Sequence, residues 1–216
     1  EDGTVFGFDE HVLSYPGNIQ IVGGRTNQGK TCWLLNILAL NLDNFPECIY
    51  MTNEMEAEEF ANRLSYFDWA QWTKPDGSPR FKAIKRYENW WDVISPDGLN
   101  IIDYLDPGES AYMVGPYIDK IKRKLQKGIA IIALQKGSIT VKTKQGLEHR
   151  ATEYAVGGQF GEHRARLVVY IEEGYLLVKK CKSWEGHNPN GRKYKFSIVN
   201  HGSRFTGIQE IFDDEA

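Results

Sequence analysis

Short apolar runs and longer amphipathic stretches alternate along this chain, separated by glycine-rich or polar turns. Ile19–Val22 is a β-branched run closed by Gly23 and Gly24, and behind it Trp33, Leu34, Ile37, Leu38 and Leu42 recur at helical spacing. ECIYMT reads as the next strand, and NEMEAEEFANRLSYF as a helix whose early glutamates complement the dipole of its first turn. TKPDGSPRFK is a loop, KAIKRY a short strand, ENWWDVI helix-like and LNIIDYL another strand. YMVGPYIDKIKRKLQKG then predicts a helix, and IAIIAL, Ile129 to Leu134, a buried strand. From Gln135 to Arg150 the composition turns polar and basic, which predicts a loop. RLVVYIEEGYLLVKKCKSW and KYKFSIV read as consecutive strands with turns at EEG and NPNG, the first a hairpin, and the acidic IQEIFDDEA is expected to fray. Strands interleaved with helices imply an α/β fold, with a mainly parallel central sheet flanked by helices and an antiparallel extension at the C-terminus.

Composition narrows the setting. The 216 residues fit one domain over 1–216, long enough to bury a sizeable core, and 41% hydrophobic with 25% charged residues is ordinary for a globular protein. The formal charge of −3 leaves any nucleic-acid contact to a local basic patch. Cys32, Cys48 and Cys181 have no metal-ligand spacing and read as buried or free thiols of a reducing compartment. No apolar run approaches the roughly 20 residues of a membrane span, and no signal-peptide pattern opens the chain. The expectation is a cytoplasmic protein with no membrane partner.

The junction between the first strand and the first helix changes the picture most. Gly24-Arg25-Thr26-Asn27-Gln28-Gly29-Lys30-Thr31 has the G-x-x-x-x-G-K-T spacing of a loop whose backbone N–H groups wrap phosphates, with Lys30 near the β and γ phosphates and Thr31 on magnesium. Cys32 follows in the first turn of the helix, where unpaired N–H donors add partial positive charge. ATP and Mg²⁺ are the expected ligands. Asp103 ends the strand IID, where a carboxylate can hold the hydrated metal; Glu54 follows IYMT directly, where one can orient and deprotonate water. In an open α/β sheet Lys30, Glu54 and Asp103 would converge beyond the carboxyl ends of the strands. The plainer alternatives are a first-turn helix acid for Glu54 and a cap for Asp103.

Taken together, GRTNQGKT, YMTNEM, NIIDYL and IAIIALQKGS resemble the RecA-like motor core of DnaB-type replicative helicases, especially small phage-type relatives. GTVFGFDEH, GGQFGEHRARLVVY, KKCKSWEGHNPNG and GSRF extend the resemblance over nearly the whole chain. It implies a P-loop ATPase and DNA helicase that lacks the N-terminal helicase domain, self-associates as a hexamer with nucleotide between subunits, and acts on single-stranded DNA. It also implies roles: Glu54 the catalytic base, Asp103 the magnesium-linked acid, Gln135 the sensor between γ-phosphate and DNA, and Phe196, beside Tyr194, against the nucleotide base. Lys180 and Lys182 match the family's Lys-x-Arg pair, which reaches a neighbouring subunit's ATP. Here the finger position holds a lysine, so the planar bidentate contact is replaced by a point charge; a solvated strand face is the alternative.

Lys136, Lys142, Lys144 and Arg150 cluster in the basic stretch after Leu134 and are the DNA-binding candidates, against the alternative of a solvated loop. Trp69, Trp72, Trp90 and Trp91 sit near helical segments, which favours packing over base stacking. Two other functions share the phosphate loop. One is a non-translocating, nucleotide-gated DNA-binding or recombination accessory ATPase; the other, a small-molecule kinase, has no need of the Lys180 and Lys182 strand.

Overall fold

The computed structural model describes residues 6, 8–108, 110–143 and 146–212. Six parallel strands form its centre in the order β3 (Lys82–Lys85), β2 (Cys48–Thr52), β4 (Leu99–Asp103), β5 (Ile129–Thr143), β1 (Ile19–Gly24) and β7 (Leu167–Glu172). Three antiparallel strands continue the sheet beyond β7: β8 (Tyr175–Cys181), β9 (Lys193–Val199) and β10 (Arg204–Ile211). β6 (Gly146–Ala155) pairs with the far half of β5.

The central strands are apolar without interruption because both faces are covered. Val22, Leu99, Ile101, Ile131, Ala133 and Val169 point to one core with Leu34, Leu35 and Leu38 of α1 (Lys30–Asn41) and Phe60 of α2 (Ala57–Ser65). Ile19, Ile21, Ile102, Ile132, Leu134 and Val168 point to the other, with Val114, Ile118 and Ile121 of α3 (Val114–Lys124). Alternation along each strand thus builds two layers of helices on one sheet. Trp90 lies in the second core, Trp72 donates its ring N–H to the Leu64 carbonyl at 3.1 Å, and Trp91 packs on Tyr117 beneath the Lys120 ammonium.

The structure departs from the sequence expectations in four places. ENWWDVI is a 3₁₀ turn, Trp90–Val93, entered through the left-handed Asn89 and followed by Pro96. The Gln135–Arg150 stretch is a β-hairpin of β5 with β6, since β-branched Ile139, Thr140, Val141 and Thr143 favour extended backbone despite Lys142 among them. α4 (Gly158–His163) is a six-residue helix with no sequence signal of its own. Gln209–Ile211, within the segment expected to fray, pairs with Lys193–Lys195 of β9 as part of β10.

Candidate functional site

β1 delivers the chain into the loop through two glycines that tolerate no side chain. A Cβ at Gly23 would lie 2.2 Å from the Tyr170 ring, and one at Gly24 would lie 2.5 Å from the Ile171 carbonyl oxygen. Gly29, at φ 101°, turns the chain into α1 as its N-cap, in a conformation that side chains disfavour. The first turn of α1 carries no acid and no side-chain cap, so its N–H donors and dipole remain available to an anion.

Thr26, Asn27, Gly29, Lys30, Thr31 and Cys32 line a cavity of about 440 Å³ together with Glu54, Glu59, Arg63, Gln135 and Ile198. Lys30 bends back on its own loop, its Nζ donating to the carbonyls of Gly24 at 3.1 Å and Arg25 at 2.8 Å. Burial pulls the lysine pKa down, and the nearby Asp103 and Glu54 charges pull it up. Glu54 stands at the open side of the cavity on the residue pair that follows β2, its backbone N–H donating to the Thr52 hydroxyl at 3.2 Å. Partial burial and then the Asp103 charge raise its carboxyl above the ordinary range.

Asp103 is buried at the end of β4, opposite Thr52 across the β2 pairing. The Tyr50 hydroxyl donates to its Oδ2 at 2.6 Å, while Oδ1, also buried, has no hydrogen-bond partner. Burial raises its pKa; the Tyr50 and Thr31 hydroxyls and the Lys30 and Arg63 charges oppose that rise. An orphaned buried carboxylate oxygen beside a threonine hydroxyl suits a hard, oxygen-loving cation such as Mg²⁺. No group of three or more His, Cys, Asp or Glu that could hold a metal ion is found among the described residues.

Gln135 lies opposite Gly24 in the β1–β5 pairing, and its amide donates to the Thr26 hydroxyl at 2.7 Å. The sheet therefore gathers Lys30, Thr31, Glu54, Asp103 and Gln135 at one edge. Arg25 is exposed on the same loop, beside Gln28.

Other expected site residues lie elsewhere. Phe196 is withdrawn from any nucleotide base: it is 9% exposed and packs edge-on against Phe6 and Phe205, with Tyr194 in the same core. The cavity wall on that side is Ile198, two residues further along β9. Lys136 is withdrawn from a DNA backbone, since it is buried, 2.5 Å from the Glu172 carboxylate and over the Tyr170 ring. Lys142 and Arg150 sit on the hairpin strands with side chains outside the described residues, and Lys144 lies outside them altogether. Lys180 and Lys182 flank Cys181, which pairs with Leu167 at the sheet edge opposite the phosphate loop. Lys180 donates to the Glu162 carbonyl at 2.6 Å and Lys182 is exposed, so neither reaches the cavity of its own chain. The three cysteines are buried and free, with burial pushing Cys32 up to about 12.

Sequence reasoning missed Arg63 and Glu59. Both lie on α2, four residues apart, and the only sequence signal was that i, i+4 spacing, which puts them on one helical face.

Over 97% of both chains, the structure superposes with a TM-score of 0.64 and 14% identity on a KaiC-like protein from the hyperthermophilic archaeon Pyrococcus horikoshii OT3. The fold is RecA-like. Its mainly parallel sheet, flanking helices and antiparallel C-terminal strands are those of this class. No family model matches the sequence, and no curated protein matches it. No helix among the described residues is long and apolar enough to cross a membrane.

Proposed function

We propose that this RecA-like chain is an ATP-hydrolysing, DNA-dependent motor domain of the DnaB-like replicative helicase type, acting on single-stranded DNA as a ring or filament assembly. The observation that carries the DNA side is the continuity of β5: Gln135 bonds to Thr26 of the phosphate loop, and the same strand runs on into the β5–β6 hairpin. A change at the phosphates is thereby transmitted to an element projecting from the sheet.

Within the cavity, the loop amides and the N-terminus of α1 bind the phosphates, and Lys30 exchanges its two carbonyl partners for phosphate oxygens. Glu54 orients a water and accepts its proton as the water oxygen bonds to the γ-phosphorus and the bond from that phosphorus to the ADP oxygen breaks. Thr31 and Asp103 would hold magnesium, which supplies neutralisation of the phosphate charge. Lys182, exposed at the far edge, acts on a neighbouring subunit's nucleotide, so assembly raises turnover.

A second reading, a nucleotide-gated DNA-binding module that does not translocate, is favoured by Lys182 itself, which offers a phosphate only a point charge. ATP hydrolysis per subunit measured against protein concentration, with and without single-stranded DNA, and strand displacement on forked DNA separate the two. The motor reading expects rates that rise with both variables, and displacement; rates indifferent to both, in a protein that binds ATP, contradict it.

A further inference from the structure

α1 turns one stripe of side chains to a second cavity. Trp33, Asn36, Ile37, Leu40 and Asn41, at the i, i+3, i+4, i+7, i+8 spacing of a single helical face, line a space of about 280 Å³. The beginnings of the central strands line it as well, through Gln20 of β1, Leu99 of β4, Ile131 of β5 and Leu167 of β7. The phosphate loop lies where β1 ends, at the other edge of the sheet, and the two cavities share no lining residue. Phe6, Phe8 and Phe45 add three rings to the lining, and Leu40, 48% exposed, marks where the space meets solvent.

No Asp, Glu, Lys, Arg or His lines this cavity, so it suits a neutral occupant. Two amides are nevertheless set into its apolar walls. Gln20, on the α1 side of the sheet like Val22 two residues on, donates from Nε2 to the Ser14 hydroxyl at 2.8 Å. Asn36, in the middle of the stripe and 3% exposed, donates from Nδ2 to the Cys32 carbonyl at 2.8 Å. A carbonyl oxygen only accepts, so that bond fixes the orientation of the amide, and the Oδ1 left over has no hydrogen-bond partner. Asparagine is a poor choice for a helix interior, and an unpaired buried acceptor adds a further cost. A water needs several polar partners to be held, which walls of this kind supply poorly, whereas an aromatic ring packs well edge-on or offset against other rings.

We propose that the space between α1 and the beginnings of the central strands binds a small neutral aromatic molecule of one or two rings, whose N–H or O–H donor pairs with Asn36 Oδ1. The rings of Trp33, Phe6 and Phe8 supply the apolar contacts, and the Asn36 acceptor selects for a donor. Binding is non-covalent, and it is separate from the nucleotide reading, since none of the residues involved belongs to the phosphate cavity.

The test uses indole as the probe and indene, which has the same shape but no N–H, as its comparison. Affinities for wild type, Asn36→Leu and Ile37→Phe are read by ligand-observed saturation-transfer NMR, with thermal unfolding of each protein to show that it is folded. Wild type should bind indole saturably and indene about fivefold or more weakly, the worth of one hydrogen bond. Asn36→Leu should bind the two equally, with its indene affinity unchanged or improved. Ile37→Phe puts extra volume into the cavity and should weaken both probes about tenfold or more; should it fail to fold, Asn36→Leu decides alone. Wild type that binds neither probe, equal affinity of wild type for both, or a preference for indole that survives in Asn36→Leu overturns the proposal.

Discussion

Asp103→Asn should make the ligand-free protein more stable at neutral pH. Asp103 is 1% exposed, Tyr50 satisfies Oδ2, and Oδ1 is left with no partner. An unsatisfied buried acceptor costs about 1–3 kcal/mol, and more when charged. The Lys30 and Arg63 charges recover part of that cost. Asparagine keeps an acceptor for the Tyr50 hydroxyl, is nearly isosteric and carries no charge, so a net gain of about 1–2 kcal/mol is expected. For a chain of this size that corresponds to a rise in melting temperature of about 2–8 °C. The gain has a pH signature. Burial raises the native-state pKa above its unfolded value, so the native state holds the proton more tightly, and wild type loses stability as pH climbs from the ordinary carboxylate range through the raised value. The advantage of Asp103→Asn is therefore largest at neutral pH and vanishes in acid, where wild type is protonated. Thermal unfolding of both proteins, free of nucleotide and divalent metal, from acid to neutral pH is the assay. A variant less stable than wild type at neutral pH, or a difference independent of pH, would refute the reasoning that this carboxylate waits for a cation.

Other perturbations test other parts of the structure. If Glu54 accepts the proton from water, the acid limb of the hydrolysis rate lies above the ordinary carboxylate range, because burial and Asp103 raise it; a limb at the ordinary value in a pH–rate profile contradicts that role. Gly23→Ala forces its Cβ into the Tyr170 ring, whose hydroxyl accepts from the Ala155 N–H and donates to Glu162, and should cost about 1–3 kcal/mol by denaturant titration. Lys136→Met strands Glu172 in a buried site and should cost about 3–5 kcal/mol, most of it recovered in Lys136→Met with Glu172→Leu; additive losses in that double-mutant cycle would show the pair is not coupled.

The parallel core was legible because its strands are apolar on both faces and short, and because glycine pairs and lysine-threonine mark the turn into α1. The gathering of Lys30, Glu54 and Asp103 at one edge followed from the strand order of an open α/β sheet, whereas Gln135 was named only through the family resemblance. The hairpin was hidden because the stretch carries Lys136, Lys142, Lys144 and Arg150, so its basic composition masked the β-branched run Ile139–Val141. Phe196 and Lys136 were misjudged for a single reason: a residue's type names what it can bind, whereas its direction from the strand decides what it touches. Phe196 turns into the aromatic cluster around Phe6, and Lys136 turns inward to Glu172. Arg63 went unnoticed because a lone arginine on an amphipathic helix looks like a solvated one until the cavity beside it is seen.

The most direct test of the central claim is phosphate release from Mg·ATP by wild type and Glu54→Gln, with nucleotide binding measured on the same samples. A wild type that turns over, beside a Glu54→Gln variant that binds ATP as tightly and is slowed roughly 10²–10⁴-fold, is the result this account predicts. Equal turnover in the two proteins, or ATP binding lost along with turnover in the variant, would contradict it.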